Sequence, residues 1–384
     1  MNRVAIKMLM GDRAKYIGII VGLTFASLLI TQQMGIFIGL MARTYGAMTD
    51  LSLPDVWVMD PKVQFVDDVK PLQDTVLYRV RGIDGVEWAV PLYKGLLKAR
   101  LDNGNFQTCN VLGLDDATLI GGPPIMVEGK ISDLRRSEAV IVDQVGAKDK
   151  LAKTLEDGTK VPLKIGDTLE LNDHRAVVVG LCKVTRTFQS QPVVYTTYSR
   201  AVTFAPRERK LLSFVLAKVS PGENVKTVCA RITASTGLAA YTREEFQIKT
   251  FQYFMKYTGI PINFGIAVAL GFIVGTAIAG QTFYNFTLDN LKHFGALKAM
   301  GAGNWLLVRM IMLQAAITGA VGYGLGVGAA AVFGYSLKDS ELAFKLPWQL
   351  LIGSAAAVML ICLMSALVSI RTVVRLEPAI VFKG

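Results

Sequence analysis

The chain has 384 residues, 52% of them hydrophobic and only 18% charged, with a formal net charge of +11. A soluble protein carries nearer a quarter charged residues, so an ordinary soluble class is excluded. Nucleic acid is not the reason for the charge, because the cations flank apolar segments instead of forming one basic patch.

Residues 1–15 read as a cytoplasmic amphipathic N-terminus carrying Arg3, Lys7, Arg13 and Lys15. An apolar run follows at 16–41, longer than the ~20 residues that cross a hydrocarbon core of ~30 Å, and predicts a first membrane helix over 16–43. It is expected to stay as an anchor. Its core exceeds a signal peptide's h-region, and Met41-Ala42-Arg43-Thr44 offers no small-x-small cleavage site. Thr31, Gln32 and Gln33 are its polar residues; they read either as interhelical hydrogen-bonding groups or, for Gln32 and Gln33, as a gate towards the external region.

Residues 44–258 predict a large α+β extracytoplasmic domain. Strand signals at Val56 and Val58, a helix over 68–81 and a strand over 86–90 open it. Runs at 94–100 and 105–112 flank Asp102-Asn103-Gly104, a hairpin turn signal. Strand 213–219, helix 222–235 and strand 237–241 close it. The pattern predicts an α+β unit of 44–121 and 207–243 around a β-rich insert of 122–206, whose strands are at 139–142, 163–171 and 176–181. Cys109, Cys182 and Cys229 fit no disulfide or zinc spacing; free thiols or a single pair both remain open. A pre-membrane helix at 244–258 carries Phe246, Phe251, Tyr253, Phe254 and Tyr257. It either lies in the headgroup layer or continues the second span as a stalk.

Three more membrane helices are predicted at 259–288, 305–335 and 347–371. A cytoplasmic loop (289–304), a short external loop (336–346) and a cytoplasmic tail (372–384) complete the chain. Lys292, Lys298, Arg309, Arg371, Arg375 and Lys383 place both termini and the 289–304 loop inside. Glycine pairs at helix-packing spacing are Gly18/Gly22, Gly35/Gly39, Gly271/Gly275, Gly322/Gly326 and Gly324/Gly328. Four helices make a small bundle, so a homodimer is expected. The span interiors lack Asp, Glu, Lys, Arg and His, which argues against a self-contained proton-coupled pump. Gly129-Lys130-Ile131 is not a phosphate-binding loop, and His174 and His293 are the two histidines. No catalytic, metal or cofactor site is expected in this chain, and any energy must come from a partner.

The loop reads Asp289-Asn290-Leu291-Lys292-His293-Phe294-Gly295-Ala296-Leu297-Lys298-Ala299-Met300-Gly301-Ala302, with Leu291, Phe294, Leu297 and Lys298 on one helical strip and Gly301 as a stop. This stretch resembles the R-x-x-E-I-G-x-L-K-A-x-G-A loop of MacB/FtsX-like ABC-transporter permeases. Gly295, Leu297, Lys298, Ala299, Gly301 and Ala302 match it, whereas His293 stands at the glutamate and Phe294 at the aliphatic residue. Arg375-Leu376-Glu377-Pro378-Ala379-Ile380 is similar to the tail that closes those permeases. Length and the segments Leu53-Pro54-Asp55-Val56-Trp57-Val58 and Gly85-Val86-Glu87-Trp88-Ala89-Val90-Pro91 look closest to the DevC-like branch.

The resemblance implies a type VII permease subunit of the bacterial inner membrane that works by mechanotransmission. Its partners would be a second copy of the chain, two cytoplasmic ATPase subunits that hold the ATP and Mg, a periplasmic membrane-fusion adaptor and a TolC-type outer-membrane channel. Asp289, Leu291, Lys292, His293, Phe294, Gly295, Leu297, Lys298, Met300 and Gly301 would form the coupling segment. Release of lipoproteins or lipids, and regulation of an external hydrolase or sensor, are the rival functions.

Overall fold

The computed structural model describes residues 2–155, 158–206, 212–337 and 341–375. It divides into two compact units, one of Met1–Leu40 with Gly259–Gly384 and one of Met41–Thr258.

The chain starts as a short helix α1 (Asn2–Gly11), then α2 (Arg13–Thr44). Ala5 and Leu9, one turn apart, are buried, while Arg3 and Lys7 are exposed. Asp12 separates the helices and restarts the second: its carboxylate accepts the Lys15 amide at 3.2 Å and pairs with the Lys15 ammonium at 3.0 Å.

The second unit follows as α3 (Gly46–Asp50), β1 (Val56–Met59), α4 (Thr75–Arg81), β2 (Val86–Arg100), β3 (Phe106–Leu114), β4 (Ile125–Glu128) and β5 (Ala139–Asp143). Next come α5 (Gln144–Lys148), β6 (Lys153–Thr154), β7 (Lys160–Val161), β8 (Thr168–Leu171), β9 (His174–Lys183), β10 (Val193–Thr197) and α6 (Tyr198–Phe204). It closes with β11 (Phe214–Val219), α7 (Val225–Thr236), β12 (Ala239–Thr242) and α8 (Arg243–Tyr257). One sheet runs β12-β1-β11-β2-β3-β10-β5-β9-β4, with β8 against both β2 and β9.

Alternation along β1 explains the two cores. Trp57 and Met59 join Phe214, Leu216 and Phe246 on one face, whereas Val56 and Val58 meet Val76, Val80, Val228 and Ile232 from α4 and α7 on the other. Trp57 lies edge-on to Phe214, with centroids 5.4 Å apart. β2 serves both ends of the sheet, pairing β11 from Val86 to Leu92 and β3 from Tyr93 to Arg100. The β2–β3 turn is closed by Asn103, whose Oδ1 accepts the Asn105 amide at 3.0 Å, and by Gly104 at φ +80°.

Three details differ from the sequence reading. The helix expected over 68–81 begins at Thr75, because Lys70 precedes Pro71 and Asp68 is occupied by the Gln64 amide at 3.0 Å. β3 pairs in parallel with β10, so residue 122 is no break in the sheet, and the 94–114 hairpin shares strands with the expected insert. Part of the aromatic strip of α8 packs into the sheet domain, while Tyr257 is exposed. Phe246 and Phe254 are buried, and Tyr253 stacks on Phe65 at 4.4 Å.

Cys109, Cys182 and Cys229 are free and buried. Burial pushes the Cys109 thiol up to about 12 and the Cys229 thiol up to about 11. Two carboxylates, the buried Asp143 and the half-buried Asp50, cap loops. Asp143 accepts the Gly146 amide and the Val193 amide, each at 2.7 Å, and Asp50 accepts the Thr185 amide and hydroxyl, each at 2.8 Å. Desolvation raises the pKa of both above the usual carboxylate value, against the pull of those hydrogen bonds.

The chain then forms α9 (Ile260–Asp289), α10 (Leu291–Ala299), α11 (Asn304–Ser336) and α12 (Trp348–Val374). Helices α2, α9, α11 and α12 have 32, 30, 33 and 27 residues, long and apolar enough to cross a membrane at about 1.5 Å per residue. Glycines let them approach. A Cβ on Gly22 would come within 2.6 Å of Ile278, on Gly322 within 2.6 Å of Leu23, and on Gly326 within 2.5 Å of Ser27. Gly18 faces Thr282, Gly271 faces Leu29 and Gly275 faces Ala26. Gly35 and Gly39 lie against Phe344 and the 343–344 backbone, where the Lys345 amide donates to the Gly35 carbonyl at 3.0 Å. Six of these eight glycines pack helix against helix within the chain, and Gly35 and Gly39 seat the segment before α12 on α2. Gly324 and Gly328, at the same spacing, have nothing within 4 Å of a Cβ.

Candidate functional site

The α9–α11 connection is built from an apolar strip, a tight stop and an exposed rim. Leu291, Phe294 and Leu297 recur at helical spacing and point into the bundle core with Phe283, Leu307 and Val373. Phe294 is fully buried and Gly295 beside it is buried too. Entry into α10 needs only Asn290: its Nδ2 donates back to the Phe286 carbonyl at 2.9 Å, and its own carbonyl receives the Phe294 amide at 3.1 Å.

The exit is a Schellman turn. Gly301 takes φ +93°; its amide donates to the Lys298 carbonyl at 3.1 Å, and the Ala302 amide donates to the Leu297 carbonyl at 3.0 Å. Leu297 and Ala302 add the accompanying apolar contact by packing on the same core. Lys298 reaches across, its Nζ donating to the Val374 carbonyl in the last turn of α12 at 3.0 Å. Asp289 sits at the C-terminal end of α9, where the helix dipole disfavours a carboxylate, and an ion pair with Lys15 offsets this.

The segment proposed from sequence thus splits by orientation. Leu291, Phe294, Gly295, Leu297 and Lys298 bind α10 to the bundle, and Asp289 ties α9 to the start of α2. Lys292, His293, Met300 and Gly301 are exposed. Sequence reasoning missed Trp305, which is 80% exposed, as Met300 earlier in the same connection is at 75%. It also missed the link from the third span to the N-terminus: buried Gln314 donates from Nε2 to the Ala5 carbonyl at 2.8 Å. Gln32 and Gln33 lie half-buried on α2 next to the buried Thr31. Of the closing motif, Arg375 alone falls within the described residues.

The sequence profile of the MacB-like periplasmic core domain matches residues 17–235, more than half of the 384, and that of the FtsX-like permease C-terminal domain matches 265–378. The chain belongs to the MacB/FtsX-like permeases. It is a multi-pass membrane protein with four membrane helices and a large α/β domain between the first two. An uncharacterised ABC transporter permease of Methanocaldococcus jannaschii is 23% identical over 238 residues, an alignment that spans 58% of this chain and 58% of that relative. Among solved structures, the periplasmic region of MacB from Actinobacillus actinomycetemcomitans is 16% identical, covers 55% of this chain and 97% of its own, and has a TM-score of 0.37. The extracellular domain of the noncanonic ABC-type transporter YknZ from Gram-positive bacteria is 13% identical, covers 49% of this chain and 98% of its own, with a TM-score of 0.34.

Proposed function

We propose that this MacB/FtsX-like permease is the noncatalytic subunit of an ATP-driven exporter of the DevC-like branch. Two copies, in the inner membrane with both termini cytoplasmic, would work with two separate ATPase chains. A periplasmic adaptor and a TolC-type outer-membrane channel would complete the path. Closure of the ATPases would press on α10, move the bundle and drive the periplasmic domain, expelling cargo that never crosses the bundle.

The observation that carries this reading is how α10 is mounted. Leu291, Phe294 and Leu297 lock it into the core, and Lys298 binds it to the end of α12, so a push on its outer face is delivered to several spans at once. The span interiors carry no Asp, Glu, Lys, Arg or His to relay ions. The test is ATP hydrolysis by the permease purified from its native membranes with its partners. Leu297→Asp with Lys298→Glu should detach α10 and lower vanadate-sensitive hydrolysis at least tenfold, a barrier or affinity change of about 1.4 kcal/mol or more. Unchanged hydrolysis and unchanged ATPase recovery would remove the coupling role from α10.

A further inference from the structure

Exposed aromatic side chains fix the depth of α11 in a bilayer. Trp305 and Tyr335 are 80% and 79% exposed and thirty positions apart, which is about 45 Å of helix. That length matches the ~40–45 Å of a bilayer with its headgroups, and tryptophan and tyrosine collect at those two levels. Trp348, exposed at the start of α12, marks the same end as Tyr335. Arg309 stands one turn inside Trp305, at the depth of the lipid phosphates, where a guanidinium is tolerated when it reaches a headgroup.

A groove of about 410 Å³ opens between α11 and α12, walled by Met312 and Ala316 on one side and by Met359, Leu360 and Leu363 on the other. The register of the two helices is fixed at Gly319, where a Cβ would come within 2.7 Å of the Cys362 Sγ. From that crossing towards the α10 end of the bundle, Arg309 lies ten positions along α11 and Arg371 nine along α12, about 15 and 14 Å. The two arginines therefore share a depth. They also share the face of the groove. Arg309 is seven positions before Ala316 and Arg371 eleven after Leu360, each within about 20° of that wall residue at 3.6 residues per turn.

Both guanidiniums are exposed, and neither has an ion pair among the described residues. Asp12 and Asp289, the described carboxylates at that end of the bundle, are both taken by Lys15. We propose that the groove holds an acyl chain of an anionic phospholipid whose phosphate is bound by Arg309 and Arg371. A zwitterionic lipid offers the same phosphate, but its ammonium would meet two cations and no free carboxylate. Guanidiniums suit phosphate because they bind it in bidentate fashion, and basic clefts between membrane helices take acidic headgroups. The bound lipid clips α11 to α12 at the membrane surface, apart from α10.

The test uses the full-length protein in non-ionic detergent with equal amounts of phosphatidylglycerol and phosphatidylcholine, read by native mass spectrometry. Wild type should retain phosphatidylglycerol over phosphatidylcholine by at least about tenfold. Arg309→Gln and Arg371→Gln should each lower that ratio about tenfold, the weight of one charge-assisted hydrogen bond. Lys292→Gln removes an exposed cation from the same end and should leave the ratio unchanged. Ala316→Trp fills the groove and should displace the lipid. In wild type, a diazirine on the acyl chain of phosphatidylglycerol should label peptides containing 312–316 or 356–363 above those of α9. Equal retention of the two lipids, a ratio unmoved by either arginine or an equal fall from Lys292→Gln would overturn the site. So would labelling spread evenly over all four spans, the mark of annular lipid only.

Discussion

In the unit of Met41–Thr258 the decisive contacts are made by large side chains that meet; in the helical unit they are made where side chains are missing. Trp57, Phe214 and Phe246 fill the centre of the sheet's apolar face. In the bundle, Gly22, Gly275, Gly322 and Gly326 set how closely α2, α9 and α11 approach. The reason is the solvent. Water rewards removal of apolar area, so the sheet gains from bulk. Lipid tails are as apolar as leucine, so helices gain mainly from close van der Waals contact and a few hydrogen bonds, such as Ser27 Oγ to the Tyr323 carbonyl at 3.3 Å. The Met41–Thr258 unit should therefore break when atoms are removed, and the helical unit when atoms are added.

Trp57→Ala should show the largest effect, about 3–5 kcal/mol of stability lost in denaturant melts of the full chain in detergent, because the surrounding sheet cannot collapse into the space. A loss below about 1 kcal/mol would mean that this core is already loose. Gly326→Leu should cost about 1–3 kcal/mol by overpacking against Ser27 and Thr24, whereas Gly324→Leu, facing open space, should stay within about 0.5 kcal/mol. Equal effects at the two glycines would erase the distinction between packed and open faces.

Asp143→Asn is expected to cost about 1 kcal/mol, since the amide can still accept from Gly146 but offers its NH2 to the Val193 amide. Its pH dependence follows from the sign of the shift. Burial raises the carboxyl's pKa, so holding it ionised opposes folding above that raised value, and the penalty disappears as pH falls below it. Wild type should thus gain stability relative to Asp143→Asn on going from pH 8 towards the unfolded carboxyl's pKa of about 4. A gap that stays flat with pH would count against the buried charge. The smallest effect is expected at Lys292→Ala, within about 0.5 kcal/mol, because the side chain is exposed.

What was readable in the sequence was what depends on local pattern. Apolar runs of membrane length gave the four spans, Asp102-Asn103-Gly104 gave the β2–β3 turn, and Gly301 gave the stop of α10. What escaped depends on partners distant in the chain. Gly322/Gly326 and Gly324/Gly328 have identical spacing, and only the position of α2 separates them. The parallel β3–β10 pairing joins segments far apart in sequence, which no local signal announces. The strip of α10 was visible, but its direction was not: beside a membrane bundle the apolar side is the anchored one. Trp305 read as one more apolar residue at a span's start, and only its exposure distinguishes it.

The 15-residue β2 strand has a mechanical consequence. Its first half is laced to β11 and its second half to β3, so β2 is the strand that joins the two ends of the sheet. A displacement of one end of the sheet therefore reaches the other along the covalent backbone of that single strand.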